Sequence, residues 1–291
     1  MNARRVRATR FNLFFLTALI VVGFVVQLLR QPIEASGQLI VRVLDIGQGD
    51  AILVTTPERD QILIDAGPGA EAVPVILRFL PAKRLTLVVA THNDADHIGG
   101  FPGLFERIQV DEVWLSGAIH TTQTFQAWLR AVQSSGAKVQ IVKAGVERLI
   151  GTTRLIVLHP FEDFTGRRPD ENHDATLVVK LTYGLTSALF TGDLDEKQEA
   201  ALVARDSASL GATLLKVSHH GSEHGSTDAF LEAVHPKYGA ISAGAENRYG
   251  HPHAQALERL AEHGIETYRT DLQGTLTFVS DGLSFHASSE K

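Results

Sequence analysis

Four side chains that can bind metal ions lie within the segment Thr91-His92-Asn93-Asp94-Ala95-Asp96-His97. Imidazole nitrogen and carboxylate oxygen both suit zinc or manganese, and mixed sets of the two are typical of hydrolytic sites that leave a coordination position open for water. Without a cation, two aspartates beside two histidines would be costly to bury. The segment therefore predicts a metal centre rather than a solvated polar loop. Its predicted ligands are His92, Asp94, Asp96 and His97.

Two more polar clusters follow apolar runs later in the chain. Asp193 ends the run Leu189-Phe190-Thr191-Gly192-Asp193, where a tight glycine step aims one carboxylate outward, so we expect it to bridge two ions. Its alternative role is to cap the helix predicted from Asp195. In Lys216-Val-Ser-His219-His220-Gly-Ser222, one histidine is expected to complete a metal shell and the other to support it or to meet the substrate.

The segment Asn247-Arg248-Tyr249-Gly250-His251-Pro252 offers amide, phenol and imidazole donors in one loop. Such donors suit a phosphate or a developing oxyanion. Arg248 by itself is expected to be a solvated surface charge. The predicted substrate-binding residues are Asn172, His220, Ser222, Asn247, Tyr249 and His251.

These residue types favour hydrolysis assisted by two divalent ions, with phosphate esters as a natural substrate. Asp96, Asp193 and His220 are the predicted catalytic residues. A Ser-His-Asp triad is disfavoured because the chain has no Gly-x-Ser-x-Gly turn. The chain has no cysteine, which excludes thiolate ligands and a cysteine nucleophile.

Short apolar runs separated by Gly, Pro and Asp predict the elements that position these clusters. A meander of strands is expected over residues 39–65, and the strand Leu85–Ala90 delivers the first cluster. A hairpin of Thr176–Leu181 and Thr186–Phe190 precedes Asp193. Helices are predicted over residues 72–80, 99–108, 122–134, 195–204 and 253–263. This alternation predicts an α/β sandwich, with two sheets between outer helices.

The first 35 residues form a separate unit in the sequence. Four arginines (Arg4, Arg5, Arg7 and Arg10) precede Phe11 to Leu29, nineteen uncharged residues that are long enough to cross a bilayer as a helix. The basic flank predicts that the remainder lies outside the cytoplasm, either anchored by this helix or released after cleavage as a signal peptide. Residues 36–291 are then one hydrolase domain, and the absence of cysteine agrees with an extracytoplasmic location.

The net charge of the chain limits the kind of surface that could bind a substrate. Residues 36–291 carry 22 basic and 32 acidic side chains, a net charge of −10. This balance argues against a large DNA-coating surface, because such surfaces are rich in Lys and Arg. It leaves room for a small site in which metal ions supply the positive charge.

The pattern Thr91 to His97 resembles the HxDxDH hallmark of the metallo-β-lactamase superfamily. Further motifs resemble, in order, the soluble domain of ComEC-type DNA-uptake competence proteins; they are Leu44-Asp-Ile-Gly-Gln-Gly-Asp-Ala51, Ile64-Asp-Ala-Gly67, Thr191-Gly-Asp193, Leu215-Lys-Val-Ser-His-His-Gly-Ser222 and Asn247-Arg-Tyr-Gly-His-Pro252. The resemblance implies a four-layer αβ/βα sandwich and two divalent ions, zinc or manganese. It carries over the ligands His92, Asp94, Asp96, His97, Asp193 and His219. Asn172 stands where relatives often have a histidine ligand, with His173 beside it, and His159 is a weaker candidate for the shell.

The expected function is that of an exported or membrane-tethered phosphodiesterase or nuclease, with DNA as one candidate substrate through the link to DNA uptake. One alternative is hydrolysis of another ester or amide, including a β-lactam or a cell-wall phosphocholine ester. Another is a non-catalytic partner in competence. The sequence identifies no protein partner.

Overall fold

The computed structural model describes residues 37–80 and 82–291, apart from the side chain of Asn172. The predicted hydrophobic helix and the predicted boundary between residues 35 and 36 lie outside the described residues. Within these ranges, no helix combines the length and the apolar character needed to span a bilayer.

The first sheet of the described region has eight strands in the order β17-β16-β1-β2-β3-β5-β7-β8. Antiparallel pairing joins β17 through β3, and parallel pairing joins β3, β5, β7 and β8. Its strands are β1 (Leu39–Val43), β2 (Ile52–Thr55), β3 (Gln61–Ile64), β5 (Leu87–Val89), β7 (Glu112–Leu115), β8 (Lys138–Ile141), β16 (Leu276–Ser280) and β17 (Phe285–Ser289). Two short strands, β4 (Arg84–Leu85) and β6 (Gln109–Val110), pair separately.

The second sheet in the same region has seven strands in the order β15-β14-β13-β12-β11-β10-β9. Pairing is antiparallel from β9 to β12 and parallel from β12 to β15. Its strands are β9 (Glu147–Ile150), β10 (Thr153–His159), β11 (Val178–Tyr183), β12 (Thr186–Phe190), β13 (Leu214–Lys216), β14 (Tyr238–Ile241) and β15 (Glu266–Arg269).

Helices cover the outer face of each sheet. The α-helices of the described residues are α1 (Ala72–Phe79), α2 (Ala95–Ile98), α3 (Phe101–Phe105), α4 (Gln123–Ser135), α5 (Glu196–Asp206), α6 (Asp228–Val234), α7 (Ala254–Glu262) and α8 (Thr270–Gln273). Short 3₁₀ helices span Asn172–Ala175, Ser207–Ser209 and Ser218–Gly221.

Three apolar layers hold the sandwich together. The inner faces of the two sheets bury one another, for example through Val41 and Leu181. The outer face of the first sheet packs against α1 to α4, and the outer face of the second sheet packs against α5 to α7. Strand β2 illustrates this packing, since Ile52 and Val54 face the inner layer while Leu53 faces the helices. Because both faces are covered, β2 is continuously apolar and does not alternate with polar residues.

The predicted four-layer sandwich is therefore confirmed for the described residues. The helix predicted over residues 99–108 is shorter in the structure, where α3 spans Phe101–Phe105. The preceding helix α2 ends at Ile98, and Gly99 and Gly100 separate the two helices. A side chain at either glycine would collide with a backbone oxygen, that of Pro68 or Ala66, at 2.0 Å. The sequence interpretation also overlooked the edge strands β9, β15 and β17.

Gly49 brings the first meander against the metal-binding segment. Its φ of +117° favours glycine, and a Cβ there would lie 2.1 Å from the carbonyl oxygen of Asp96. The next residue, Asp50, donates its backbone N–H to that same oxygen at 3.2 Å. The absence of a side chain at Gly49 thus lets the first meander pack directly against the backbone of Asp96, where the Asp50 N–H can donate to it.

Candidate metal centre

The predicted ligand clusters meet where strands of both sheets end. Residues 91–97 follow β5 in the first sheet, while Asp193 follows β12 and His220 follows β13 in the second. Backbone hydrogen bonds join these segments, from Leu177 N–H to the Thr91 carbonyl at 2.8 Å and from His219 N–H to the Gly192 carbonyl at 3.1 Å. The two halves of the chain therefore form the site together.

One group of potential ligands consists of Asp96, His97, Asp193 and His220, whose ligand atoms all lie within 4.8 Å of one another. Nε2 of His97 is 3.2 Å from Oδ1 of Asp193, and Nε2 of His220 is 3.3 Å from Oδ2. Oδ2 of Asp96 lies 3.5 Å from the same His220 nitrogen. Three of these side chains are buried and Asp96 is half-buried.

A second group consists of His92, His173 and Asp193. Asp94 borders it, because its Oδ2 lies 3.6 Å from Nε2 of His92 and 3.9 Å from Nε2 of His173. Asp193 belongs to both groups and directs one carboxylate between them. This is the position that the sequence predicted for a bridging aspartate.

Buried atoms without partners support the fit to metal ions. Nε2 of His92, His97 and His220 and Oδ1 of Asp193 make no hydrogen bond to any described residue, although they are inaccessible to solvent. Buried polar atoms are almost always satisfied, so orphaned atoms that converge need an explanation. Divalent ions satisfy imidazole nitrogens and carboxylate oxygens together. The residues present therefore suit a pair of such ions.

The charges of the centre are strongly perturbed. Burial disfavours a charged ring most strongly, but Asp193 together with Asp65 for His97, and with Asp50 for His220, raises both pKa values well above the usual range. Burial also opposes ionisation of Asp193, yet His220 and His97 hold its pKa well below normal. Burial opposes ionisation of Asp96 as well, and its neighbours His220 and His97 lower its pKa. Without ions, protons on the histidines balance these carboxylates.

Hydrogen-bond acceptors behind the centre orient two of its histidines. Asp65 accepts from Nδ1 of His97 at 2.8 Å and from the N–H and hydroxyl of Thr91, so it holds the segment as well as the ring. For His220, the partner is the Ser242 carbonyl, 2.8 Å from Nδ1. A carbonyl can only accept, so Nδ1 carries a proton, and Nε2, which faces the centre, is the nitrogen that would lose its proton to bind an ion.

The loop that carries the paired histidines is held by one buried acid. Glu199 accepts hydrogen bonds from the Ser218 hydroxyl, from the N–H of Ser226 and from both the N–H and the hydroxyl of Thr227, at 2.7–2.9 Å. Between these anchors His219 and His220 adopt φ values of 48° and 55°. Left-handed backbone is costly for residues other than glycine and is concentrated at functional sites.

The structure separates the roles of the two histidines. His220 joins the Asp96–His97–Asp193 group, whereas His219, the predicted ligand, groups with His173 and Asp195. Nδ1 of His219 is 2.9 Å from Asp195, and its Nε2 is 3.7 Å from Oδ2 of Asp193. His219 is also more exposed, at 27% against 1% for His220. Sequence spacing could not decide between them because the choice depends on the left-handed turn.

Three other predicted residues, Asn172, His159 and Ser222, are not members of the ligand groups described above. Asn172 begins a 3₁₀ helix, and its side chain lies outside the described residues. The neighbouring His173 enters a ligand group instead. His159 does not, because its ring is buried and its Nδ1 donates to the Thr176 carbonyl at 2.7 Å. The hydroxyl of buried Ser222 accepts from the N–H of His224, so it supports the loop rather than the open face.

The loop of residues 247–251 borders the centre through its rings. His251 lies 5.5 Å from the ring of His219 and 6.1 Å from that of His220, and Tyr249 stacks on His251 at 5.7 Å. Asn247 uses both ends of its amide inside the loop, accepting from Tyr249 and His251 N–H and donating to the Gly244 and His251 carbonyls. Asn247 therefore shapes the loop, while Tyr249, 47% exposed, faces outward.

Sequence reasoning assigned no role to four supporting residues, namely Asp50, Asp65, Asp195 and Lys216. Asp50 and Asp65 follow apolar strands within Gly-rich motifs, which is the signal that could have identified them. Buried charged residues at strand ends are rare unless they are paired or support a site. Lys216 and Asp195 lie within two or three residues of predicted site residues, and nothing in their spacing indicates burial or pairing.

The sequence model of the metallo-beta-lactamase superfamily matches residues 44–245. The chain is 32% identical to ComE operon protein 3 of Bacillus subtilis over 257 residues, which are 82% of this chain and 32% of that protein. It is also 32% identical to competence protein ComA of Neisseria gonorrhoeae, over 89% of this chain and 35% of that protein. The chain thus spans about a third of the length of these relatives.

Among solved structures, the metallo-beta-lactamase fold protein YhfI of Bacillus subtilis matches with a TM-score of 0.57. The match covers 84% of this chain and all of that one, at 12% sequence identity. At this identity the likeness concerns the fold alone. This likeness agrees with the layers and strand orders described above. The predicted resemblance to competence proteins is confirmed separately, by the two relatives.

Proposed function

Because the chain belongs to the metallo-β-lactamase superfamily, we propose that it is a metal-dependent hydrolase of phosphodiesters. The observation that carries this proposal is the convergence of three buried imidazole nitrogens, which make no hydrogen bond to the described residues, on the shared carboxylate of Asp193. Relatives named as competence proteins favour a nucleic acid as the natural phosphodiester. Hydrolysis of β-lactams or of other esters would use the same ligand groups, but the two relatives named as competence-related proteins do not point to it.

In this proposal each ligand group holds one divalent ion. His92, Asp94 and His173 would hold the first and Asp96, His97 and His220 the second, while Asp193 belongs to both groups. His220 thereby takes the ligand role that the sequence interpretation gave to His219. Ions in such pairs neutralise a phosphate and make a water molecule acidic enough to attack near neutral pH.

The chain's own groups supply orientation and proton transfer. Asp65 and the Ser242 carbonyl fix the rings of His97 and His220, so that Nε2 of each faces the centre. His219 is the imidazole beside Asp193 that solvent and substrate can reach, and Asp195 fixes its Nδ1. We therefore assign to His219 the transfer of a proton to the leaving oxygen.

Hydrolysis of bis-p-nitrophenyl phosphate by the full chain, supplied with manganese or zinc, tests this proposal. We expect turnover that chelation abolishes and that Asp193→Asn reduces by more than about 100-fold, which exceeds the usual loss for residues that merely support ligands. His286→Ala, on the exposed edge strand β17, is the matched control and should retain full activity. Hydrolysis of nitrocefin instead of the phosphodiester would favour the alternative amide substrate.

The cellular setting stays a prediction from the sequence. We propose an extracytoplasmic location, with residues 1–35 as a membrane anchor or a cleaved signal. A non-catalytic role in competence is disfavoured by the complete set of ligands. It would be supported by full-chain protein that binds neither manganese nor zinc.

A further inference from the structure

Arg248 is held in place beside the candidate metal centre. Its guanidinium lies over the ring of Tyr249, 4.8 Å from the centroid, and its Nη2 donates to the Tyr249 hydroxyl at 2.5 Å. Tyr249 in turn stacks on His251, which contacts the rings of His219 and His220. A series of ring contacts therefore connects Arg248 to the centre. The expected solvated surface charge agrees with its exposure, and the structure adds that the guanidinium is held on the ring of Tyr249.

The charge of Arg248 is available to a ligand. No carboxylate of the described residues lies within ion-pair distance of its guanidinium, and the side chain is exposed. Hydrogen bonding to Tyr249 raises the pKa of Arg248, so the guanidinium stays charged. Planar guanidinium groups that are held in advance suit bidentate binding of phosphate.

A second arginine, Arg168, lies in a segment that reaches the other ligand group. The segment around Arg168 is attached to the loop after β7, through Gly166 N–H to the Gly117 carbonyl at 2.9 Å and Ile119 N–H to the Arg167 carbonyl at 3.0 Å. Pro169, the next residue, lines a small cavity together with His92 and Asp94.

Arg168 also borders a larger cavity of about 340 Å³, shared with Lys197 and His159. Arg168 is exposed and makes no hydrogen bond or ion pair with the part of the chain that the structure describes. Two exposed arginines without an ion pair to the described residues are thus connected to the ligand groups: Arg168 precedes Pro169, which lines a cavity with His92 and Asp94, and Arg248 is linked through Tyr249 and His251 to His219 and His220.

We propose that Arg168 and Arg248 bind the phosphates that flank the attacked one, so that the substrate is a nucleic-acid strand rather than a small diester with a single phosphate. This inference rests on the proposed function, since it takes the ligand groups as the place of attack. It also accommodates the net charge of −10. A strand held at two arginines and a metal pair needs no broad basic surface.

Salt dependence of binding provides a direct test. The probe is a fluorescein-labelled single strand of about 12 nucleotides, with phosphorothioate linkages to slow hydrolysis. Its anisotropy is measured with the full chain and manganese over a range of salt concentrations. Each arginine that contacts a phosphate contributes about 0.7 to the slope of log affinity against log salt concentration for a single strand. Arg168→Ala and Arg248→Ala should each weaken binding and lower the slope by about that amount, and the double variant by about 1.4.

The matched control is Arg130→Ala, which removes an equally exposed arginine from α4, away from the ligand groups. It should leave affinity and slope unchanged. Tyr249→Ala should weaken binding in the way Arg248→Ala does, because the guanidinium loses the ring that holds it. Tyr249→Phe keeps the ring and should fall between Tyr249→Ala and the unaltered protein.

Two results would overturn the inference: no binding of the strand by the unaltered protein, or slopes for the Arg168 and Arg248 variants equal to that of Arg130→Ala. Neither depends on turnover. Failure of the proposed function appears separately, as absence of bis-p-nitrophenyl phosphate hydrolysis by protein that still binds the strand through these arginines. A double strand of equal length, tested in parallel, shows whether the two arginines follow one strand or a duplex.

Discussion

The ammonium group of Lys216 lies 2.8 Å from Oδ2 of Asp50, and both side chains are at least 98% buried. The other oxygen of Asp50 is 3.4 Å from Nδ1 of His220. Burial opposes ionisation of Asp50, but Lys216 and then His220 lower its pKa to about 2. The lysine therefore keeps a charged carboxylate directly behind one of the histidines of the candidate centre.

Replacing Lys216 by Met should destabilise the protein by about 3–5 kcal/mol, because removing one partner leaves a buried carboxylate without its cation. Urea unfolding with chelated metal measures the loss. The double variant Lys216→Met/Asp50→Asn should recover part of it, since no unpaired charge is left. Equal destabilisation in the single and double variants would show that packing, not charge, accounts for the effect.

Alanine variants of His219 and His220 should differ in metal content. His220→Ala removes a member of the Asp193 group, so we expect one of the two ions to be lost during dialysis. His219→Ala should retain both proposed ions while hydrolysis falls by about 100–10,000-fold, the usual loss when a group that transfers a proton is removed. Mass spectrometry of bound metal checks both outcomes. Equal metal loss in the two variants would contradict the assignment of His220.

Binding of metal should release protons. The pKa values of His97 and His220 are raised, mainly by Asp193 against the effect of burial, so both rings are protonated near pH 7 when no ion is bound. Calorimetric titration of manganese in buffers of different ionisation enthalpy measures the release, and the affinity should fall as the pH falls.

The stability of the metal-free protein should depend on protonation of the same two histidines. Without ions, the raised pKa values add stability that is fully present below about pH 6.5 and is lost as the pH rises through the folded values. The increase in melting temperature caused by manganese should therefore grow between about pH 6 and pH 9. An increase that does not change with pH would argue against protonated histidines at the centre.

Glu199→Gln should loosen the loop that carries both histidines. Each carboxylate oxygen of Glu199 accepts a backbone N–H, from Ser226 or from Thr227. Either orientation of the glutamine amide therefore places an NH₂ group against a backbone donor, at a cost of about 1–3 kcal/mol. Thermal unfolding measures this cost, and the exposed Glu232→Gln on α6 is the control. A Glu199→Gln protein as stable as the control would show that these hydrogen bonds contribute little.

Sequence alone predicted the sandwich and the convergence of the clusters, because both depend on local patterns. Apolar runs that end in His and Asp place ligands at strand ends whatever the details of packing. The difference between His219 and His220 depends on a left-handed turn that adjacent identical residues do not reveal. The burial of Lys216 and the attachment of Arg248 to Tyr249 depend on contacts between distant segments or on side-chain geometry, which periodicity does not encode.

The distribution of the ligands along the chain has a consequence for biosynthesis. Asp193 and His220 come from the second sheet, and no group built on Asp193 forms from residues 37–172 alone. Synthesis must therefore proceed beyond His220 before the ligand groups can assemble. A product that ends before Asp193 would lack the residue shared by both groups.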